Sequence, residues 1–166
     1  MTDAVDAILD QWRTVRPDLI EELPVMGLLG RIQRLGRVVD RELAQFFTAR
    51  GVQHWESDVL FTLRRASGPL TPGALIRASM VTSGTITNRI DRMEARGLVR
   101  RTRDAQDRRS VRIELTDEGR DLVDSVIHDH LANYRRLVSS LDTAQRETLN
   151  GLLRTLLEDL GDTELG

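Results

Sequence analysis

Hydroxyl, amide and guanidinium side chains crowd into the stretch "VTSGTITNRIDR", among them Thr82, Ser83, Thr85, Thr87, Asn88 and Arg92. Short donors and acceptors beside a fork-shaped cation are the types that reach base edges and phosphate oxygens. A little downstream, "DAQDRRS" holds Asp107, Arg108 and Arg109, where a guanidinium oriented by a neighbouring carboxylate is shaped to enter a minor groove. From Val81 to Thr116 the chain carries nine arginines against five acidic residues, whereas the rest carries 15 against 21 within a net charge of -2. So concentrated a basic patch on a mildly acidic chain calls for a local polyanionic partner, and double-stranded DNA is the expected one. The competing description is a solvated helix face followed by a charged turn. Such a face more often holds Glu and Lys than Ser, Thr and Asn, which are indifferent helix formers and need another reason to be there.

These residues need elements to position them. From Ala4 to Val15 the apolar side chains Val5, Ile8, Leu9, Trp12 and Val15 recur at three and four, describing an amphipathic helix stopped before Pro17. "RPDLIEELP" reads as a breaker, and a long second helix runs from the Leu28 region towards Gly51. Trp55, Val59, Leu60 and Leu63 give a third, and Thr71 with Pro72 caps a short fourth. "MVTSG" is a turn, after which Ile86, Ile90 and Met93 face inward on a fifth helix that Gly97 ends. Leu98 and Val99 lead into a strand to Arg103. In "SVRIEL", Val111, Ile113 and Leu115 point inward, with Arg112 and Glu114 outward. Thr116 opens a helix with the stripe Leu122, Val126, Ile127, Leu131, Tyr134, Leu137 and Leu141, and a last helix carries Leu149 to Leu160. The fold class is therefore mainly α with a small β-hairpin. Two helices joined by a tight turn and followed by a two-stranded ribbon describe a winged helix-turn-helix over 55–116. The flanking 1–50 and 117–166 form helical dimerisation regions of a single-domain chain, since their apolar stripes exceed what one small winged domain can cover.

Composition narrows the alternatives. Within 166 residues there is no cysteine, so disulfides, thiolate metal sites and thiol sensing are excluded. His54, His128 and His130 are too dispersed for a triad or a metal site, and the last two point to different helix faces. With no phosphate loop or paired-acid motif either, the reading is no enzyme, no catalytic residue, no metal and no cofactor. No apolar run approaches a membrane span, and "MTDAVDAILDQW" lacks the features of a signal peptide, so a cytoplasmic location is expected. The remaining rival is a winged helix that serves protein contacts without sequence-specific DNA binding, against which the basic wing and the Ser/Thr/Asn-rich helix argue.

The block "LTPGALIRASMVTSGTITNRIDRMEARGLVRRTRDAQDRRSVRIELTDEGRDLV", with its D-x-R-S wing and its L-T-x-x-G start to the next helix, resembles the multiple-antibiotic-resistance regulator (MarR) family. The likeness spans roughly Leu28 to Leu160 in element order. It implies a ligand-responsive transcriptional regulator, most simply a repressor. Such a regulator binds a pseudo-palindromic operator as a homodimer with interlocked terminal helices, and a small anionic or phenolic ligand releases it. The helix before the usual first one is shared by part of the family. In the urate-responsive branch, a tryptophan on that helix, an aspartate, an arginine of the recognition helix and an arginine at the wing base hold the ligand. The matching positions here are Trp12 in "QW", Asp58 in "SDVLFTL", Arg89 in "TNRI" and Arg101 in "VRR". An aromatic wall and a guanidinium suit a planar anion, and a carboxylate beside them is displaced by it. The effector class is thus an anionic aromatic molecule or a small carboxylate. Singly, these residues also read as a core anchor, a first-turn helix residue and phosphate contacts.

Overall fold

A computed structural model describes residues 2–79, 86–103 and 110–163. Along them run α1 (Ala4–Val15), a 3-10 turn (Pro17–Leu19), α2 (Leu23–Thr48), α3 (His54–Arg65), α4 (Pro72–Ala78) and α5 (Ile86–Ala95). Then follow β1 (Val99–Arg103), β2 (Val111–Leu115), α6 (Asp117–Leu137) and α7 (Thr143–Asp159). The mainly helical architecture with one hairpin is that expected for a winged helix-turn-helix.

Local chemistry sets the boundaries. Asp3 caps α1 by accepting from the Val5 and Asp6 amides, and Asp6 reciprocates in a capping box. Thr71 accepts from the Ala74 amide with Pro72 in the first turn of α4, and Thr116 accepts from the Gly119 amide at the start of α6. At Gly97 the backbone turns left-handed, φ 71°, closing α5 at no side-chain cost. α2 starts at Leu23 rather than near Leu28. Pro24 belongs to the stretch that reads as a breaker, but in a first turn its missing N–H costs nothing, so it begins the helix instead.

The chain forms two compact units, Met1–Gln45 and Phe46–Gly166. In the first, Val5, Leu9 and Leu23 are buried together. Arg31 joins α2 to α1 through Asp3 (2.8 Å) and Asp6 (2.6 Å). Trp12 is 38% exposed, and Ile8, Val15, Leu28, Leu29 and Leu35 also face outward.

In the second unit the core draws on the end of α2, on α3 to α6 and on both strands: Phe47, Val52, Val59, Leu60, Leu63, Leu75, Ile86, Ile90, Met93, Leu98, Val99, Ile113, Leu115, Val123 and Val126 are buried, and α7 buries none. β1 and β2 pair antiparallel from Val99 opposite Leu115 to Arg103 opposite Val111. Leu70 adds a third, one-residue rung, exchanging both backbone hydrogen bonds with Ile113 (3.0 and 2.8 Å). Val111 is exposed, contrary to the simple alternation, because it pairs at the tip end of the ladder, away from the core that covers Ile113 and Leu115. α6 also differs in detail: Val123, Val126 and His130 are its buried apolar and imidazole side chains, while Leu131 and Tyr134 are exposed. Its first turn lies directly on the β1 entrance. A Cβ at Gly119 would fall 2.0 Å from the Leu98 carbonyl oxygen, so only glycine fits there.

Candidate nucleic-acid interface and the buried cluster behind it

α4 and α5 are the two helices of the helix-turn-helix, and β1 and β2 are the strands of the wing. Ile86, Ile90 and Met93 bury the inner face of α5, which leaves Thr87, Asn88 and Arg92 exposed on the outer one. The hairpin adds Arg100 and Arg103 on exposed positions, Arg100 pairing with Glu114 across the strands at 2.8 Å. Amide, hydroxyl and guanidinium donors thus share a helix face and its adjoining ribbon, the arrangement that offers one element to a groove and the other to the backbone. Thr82, Ser83, Thr85, Asp107, Arg108 and Arg109 lie outside the described residues.

The same helix has an inward cation. The Arg89 guanidinium carbon lies 5.4 Å from the centre of the Trp55 ring, and its Nη1 is buried with no hydrogen-bond partner among the described residues. A buried, unmatched N–H is costly, and an incoming carboxylate or planar anion relieves that cost. Trp55 belongs to a 120° arc of α3 that also carries His54, Asp58, Phe61 and Thr62, by helical geometry. Across from it, α6 brings His130, whose ring stacks on Phe61 at 5.1 Å and lies 5.0 Å from Phe47 and 4.1 Å from Tyr134. Nδ1 of His54, Nδ1 of His130, Oγ1 of Thr62 and Nδ2 of Asn133 are buried without hydrogen-bond partners. Burial, and then the nearby His54, hold the His130 imidazole below its usual value, so it is neutral near pH 7. Burial and then the charge of Asp58 push the Tyr134 phenol up.

Of the four ligand residues named from sequence, Asp58 and Arg89 lie in the second unit with this cluster, while Trp12 lies in the first. Arg101 is differently engaged. Its guanidinium pairs with Asp91 and Glu94 of α5, each at 2.5 Å, and its backbone N–H donates to Glu94 at 3.0 Å. Partial burial acts to lower this guanidinium, but the hydrogen bonds it donates to Asp91 and Glu94 outweigh it and hold it above its ordinary value. A ligand would therefore have to compete with two carboxylates for Arg101. Trp55, His54, His130 and Tyr134 were not found from sequence. The His130/Tyr134 spacing of four was an available signal, obscured because a lone histidine on a helix says nothing of burial. Among the described residues no group of three or more His, Asp or Glu side chains is placed to hold a metal, and no helix is long and apolar enough to cross a membrane.

A helix-turn-helix followed at once by a basic two-stranded wing defines a winged helix-turn-helix DNA-binding protein. The MarR family model matches residues 50–110. The chain is 39% identical over 152 residues to the HTH-type transcriptional regulator PecS of Dickeya dadantii, covering 90% of each. Its fold is similar to that of an E. coli MarR mutant complexed with operator DNA (TM-score 0.71, 24% identity, 88% of this chain and 97% of that one). It is also similar to that of Bordetella bronchiseptica BpsR, described for regulation of its DNA binding by 6-hydroxynicotinic acid (TM-score 0.69, 24% identity, 76% and 90%). The chain belongs to the MarR family of DNA-binding transcriptional regulators.

Proposed function

We propose that this regulator is a homodimeric repressor that a small planar anion or carboxylate releases from a pseudo-palindromic operator. The observation that carries this reading is Arg89. It sits on α5 between the outward Asn88 and Arg92 and the inward face, with a buried unpartnered nitrogen beside Trp55. An anion that pairs with Arg89 acts on the same turn of helix that presents the DNA-reading side chains, so it can favour a geometry unsuited to the operator. Such a ligand shifts the equilibrium only by its preference for that geometry. The BpsR likeness, in which a small heteroaromatic acid acts on DNA binding, supports the class of effector.

Trp55 offers an aromatic wall inside the unit, and Trp12 is retained as a second ligand contact. Asp58 is the carboxylate that the ligand displaces, and Arg101 anchors the wing base to α5. Thr82, Ser83, Thr85, Thr87, Asn88 and Arg92 read the major groove while Asp107, Arg108 and Arg109 serve the minor groove. Dimerisation is supported by the outward apolar side chains of α1, α2 and α7, among them Leu28, Leu29, Leu152 and Leu157.

The test pairs a thermal-shift assay on the free protein with anisotropy on labelled DNA from the gene's own promoter, using urate, 6-hydroxynicotinate and citrate as probes. At least one should raise the Tm and release DNA from the native chain, with both effects lost in Arg89→Ser. Trp12→Phe and Trp55→Phe then apportion the aromatic contact. Absence of shift and release across the three removes the ligand reading. Failure to bind promoter DNA would instead favour a protein-interaction role.

A further inference from the structure

We infer that Arg96 is a positioning residue for operator recognition, a strut that fixes the pitch of α5 against the start of α3. Arg96 follows the last residue of α5. Its Nη1 donates to Glu56 Oε2 at 2.5 Å and its Nη2 to the Gly51 carbonyl at 2.9 Å. Glu56 is 2% exposed, and the same oxygen accepts the Gln53 amide at 2.8 Å to complete the cap of α3. A carboxylate so deeply buried requires a cation, and Arg96 supplies it.

The anchor beneath the strut is firm. The Gly51 amide donates to Thr48, and the Val52 amide donates to Phe47 at the end of α2, both at 3.1 Å, with Val52 and Phe47 buried. The other clamp on α5, Arg101 with Asp91 and Glu94, holds the helix to the first strand of the wing. Among the described residues, Arg96 supplies an ion pair that ties the end of α5 to α3, and a hydrogen bond that ties it to the loop after α2. Lever arithmetic shows why that matters for reading bases. Asn88 lies eight residues back along α5, about 12 Å at 1.5 Å per residue, so a tilt of roughly 5° at the strut moves it about 1 Å. Hydrogen bonds to base edges tolerate only a few tenths of an ångström. Loss of the strut should therefore cost sequence discrimination while leaving attraction to phosphate largely intact.

The experiment uses the full chain, a duplex that the native chain selects from a random pool, and a scrambled duplex of the same length and composition. Arg96→Met strands the Glu56 charge and lowers the Tm. Adding Glu56→Gln removes that charge yet keeps an acceptor for the Gln53 amide, so the double variant recovers Tm. The ratio of selected to scrambled affinity should nonetheless stay down by roughly tenfold, the worth of one good base-edge contact. Arg96→Lys keeps the charge, but one ammonium cannot reproduce the two-partner fork, and it should give a several-fold loss of the ratio at near-native Tm. A ratio within about twofold of native in either variant overturns the proposal. So does an equal loss on both duplexes, which would make Arg96 a phosphate contact. Should the double variant not fold, Arg96→Lys decides alone.

Discussion

Arg89 and Arg96 stand two helical turns apart on one side of α5 and its cap, and their surroundings are opposite. Arg96 has a buried carboxylate and a backbone carbonyl, both at hydrogen-bond distance, whereas Arg89 has an aromatic face and a buried nitrogen with no acceptor. A guanidinium whose donors are matched within the protein stabilises it. One left unmatched lowers stability, and the proposed ligand would complete it. On the proposed readings, one short helix thus separates holding the reading head from controlling it.

The comparison breaks or stands first on Arg96→Met. Stranding a buried charge costs about 3 kcal/mol, taken at the low end because the guanidinium itself is 43% exposed. Urea unfolding followed by circular dichroism measures it, and a loss below about 1 kcal/mol would mean that Glu56 finds solvent or another partner. On the outer face, Asn88→Ala and Arg92→Ala should each alter preference at particular base pairs by about 1 to 3 kcal/mol, read from a panel of single-site operator variants. A uniform loss over the panel would reduce them to backbone contacts.

Arg89→Met sharpens the contrast with a smaller effect. Removing the cation over Trp55 forfeits about 0.5 to 1 kcal/mol, and removing an unmatched buried donor returns a similar amount. Stability should stay within about 1 kcal/mol of native while any ligand response vanishes. A loss as large as that of Arg96→Met would make Arg89 a structural residue and leave the proposed pocket without its cation.

How much of this could be read from residues alone follows from which forces are local. Thr71–Pro72, Thr116 and Gly97 declare helix ends through side-chain caps and a left-handed turn, and the Ile86, Ile90 and Met93 stripe declares the inner face of α5. The glycine of the L-T-x-x-G motif acquires its reason only in three dimensions, where Gly119 meets the Leu98 carbonyl. The Leu70 rung escaped because a single residue has no period. Pro24 misled because the same residue breaks a helix interior and suits a first turn. The partners of Arg89, Arg96 and Arg101 depend on contacts between elements, which spacing does not encode. Arg101 is the clearest instance: family likeness points it to a ligand, whereas Asp91 and Glu94 already hold it.

The smallest effect concerns the imidazole that completes the cluster behind Arg89. His130 is 7% exposed among Phe46, Phe47, Phe61 and Tyr134, with its Nδ1 unmatched, and burial followed by His54 depresses its protonation. In the unfolded chain it titrates near the ordinary value of 6.5. Between that value and the lower folded one, the unfolded state binds more protons, so stability rises with pH across this window. The His130 contribution is therefore fully present above pH 6.5 and is lost as pH falls through the window towards the folded value. Each unit of separation is worth about 1 kcal/mol. Urea unfolding at pH 8, 7, 6 and 5.5 should show this decline in the native chain and a shallower one in His130→Phe, which keeps the aromatic packing and removes the proton site. Equal slopes in the two chains would assign the acid sensitivity to other groups, with His54 the next to substitute.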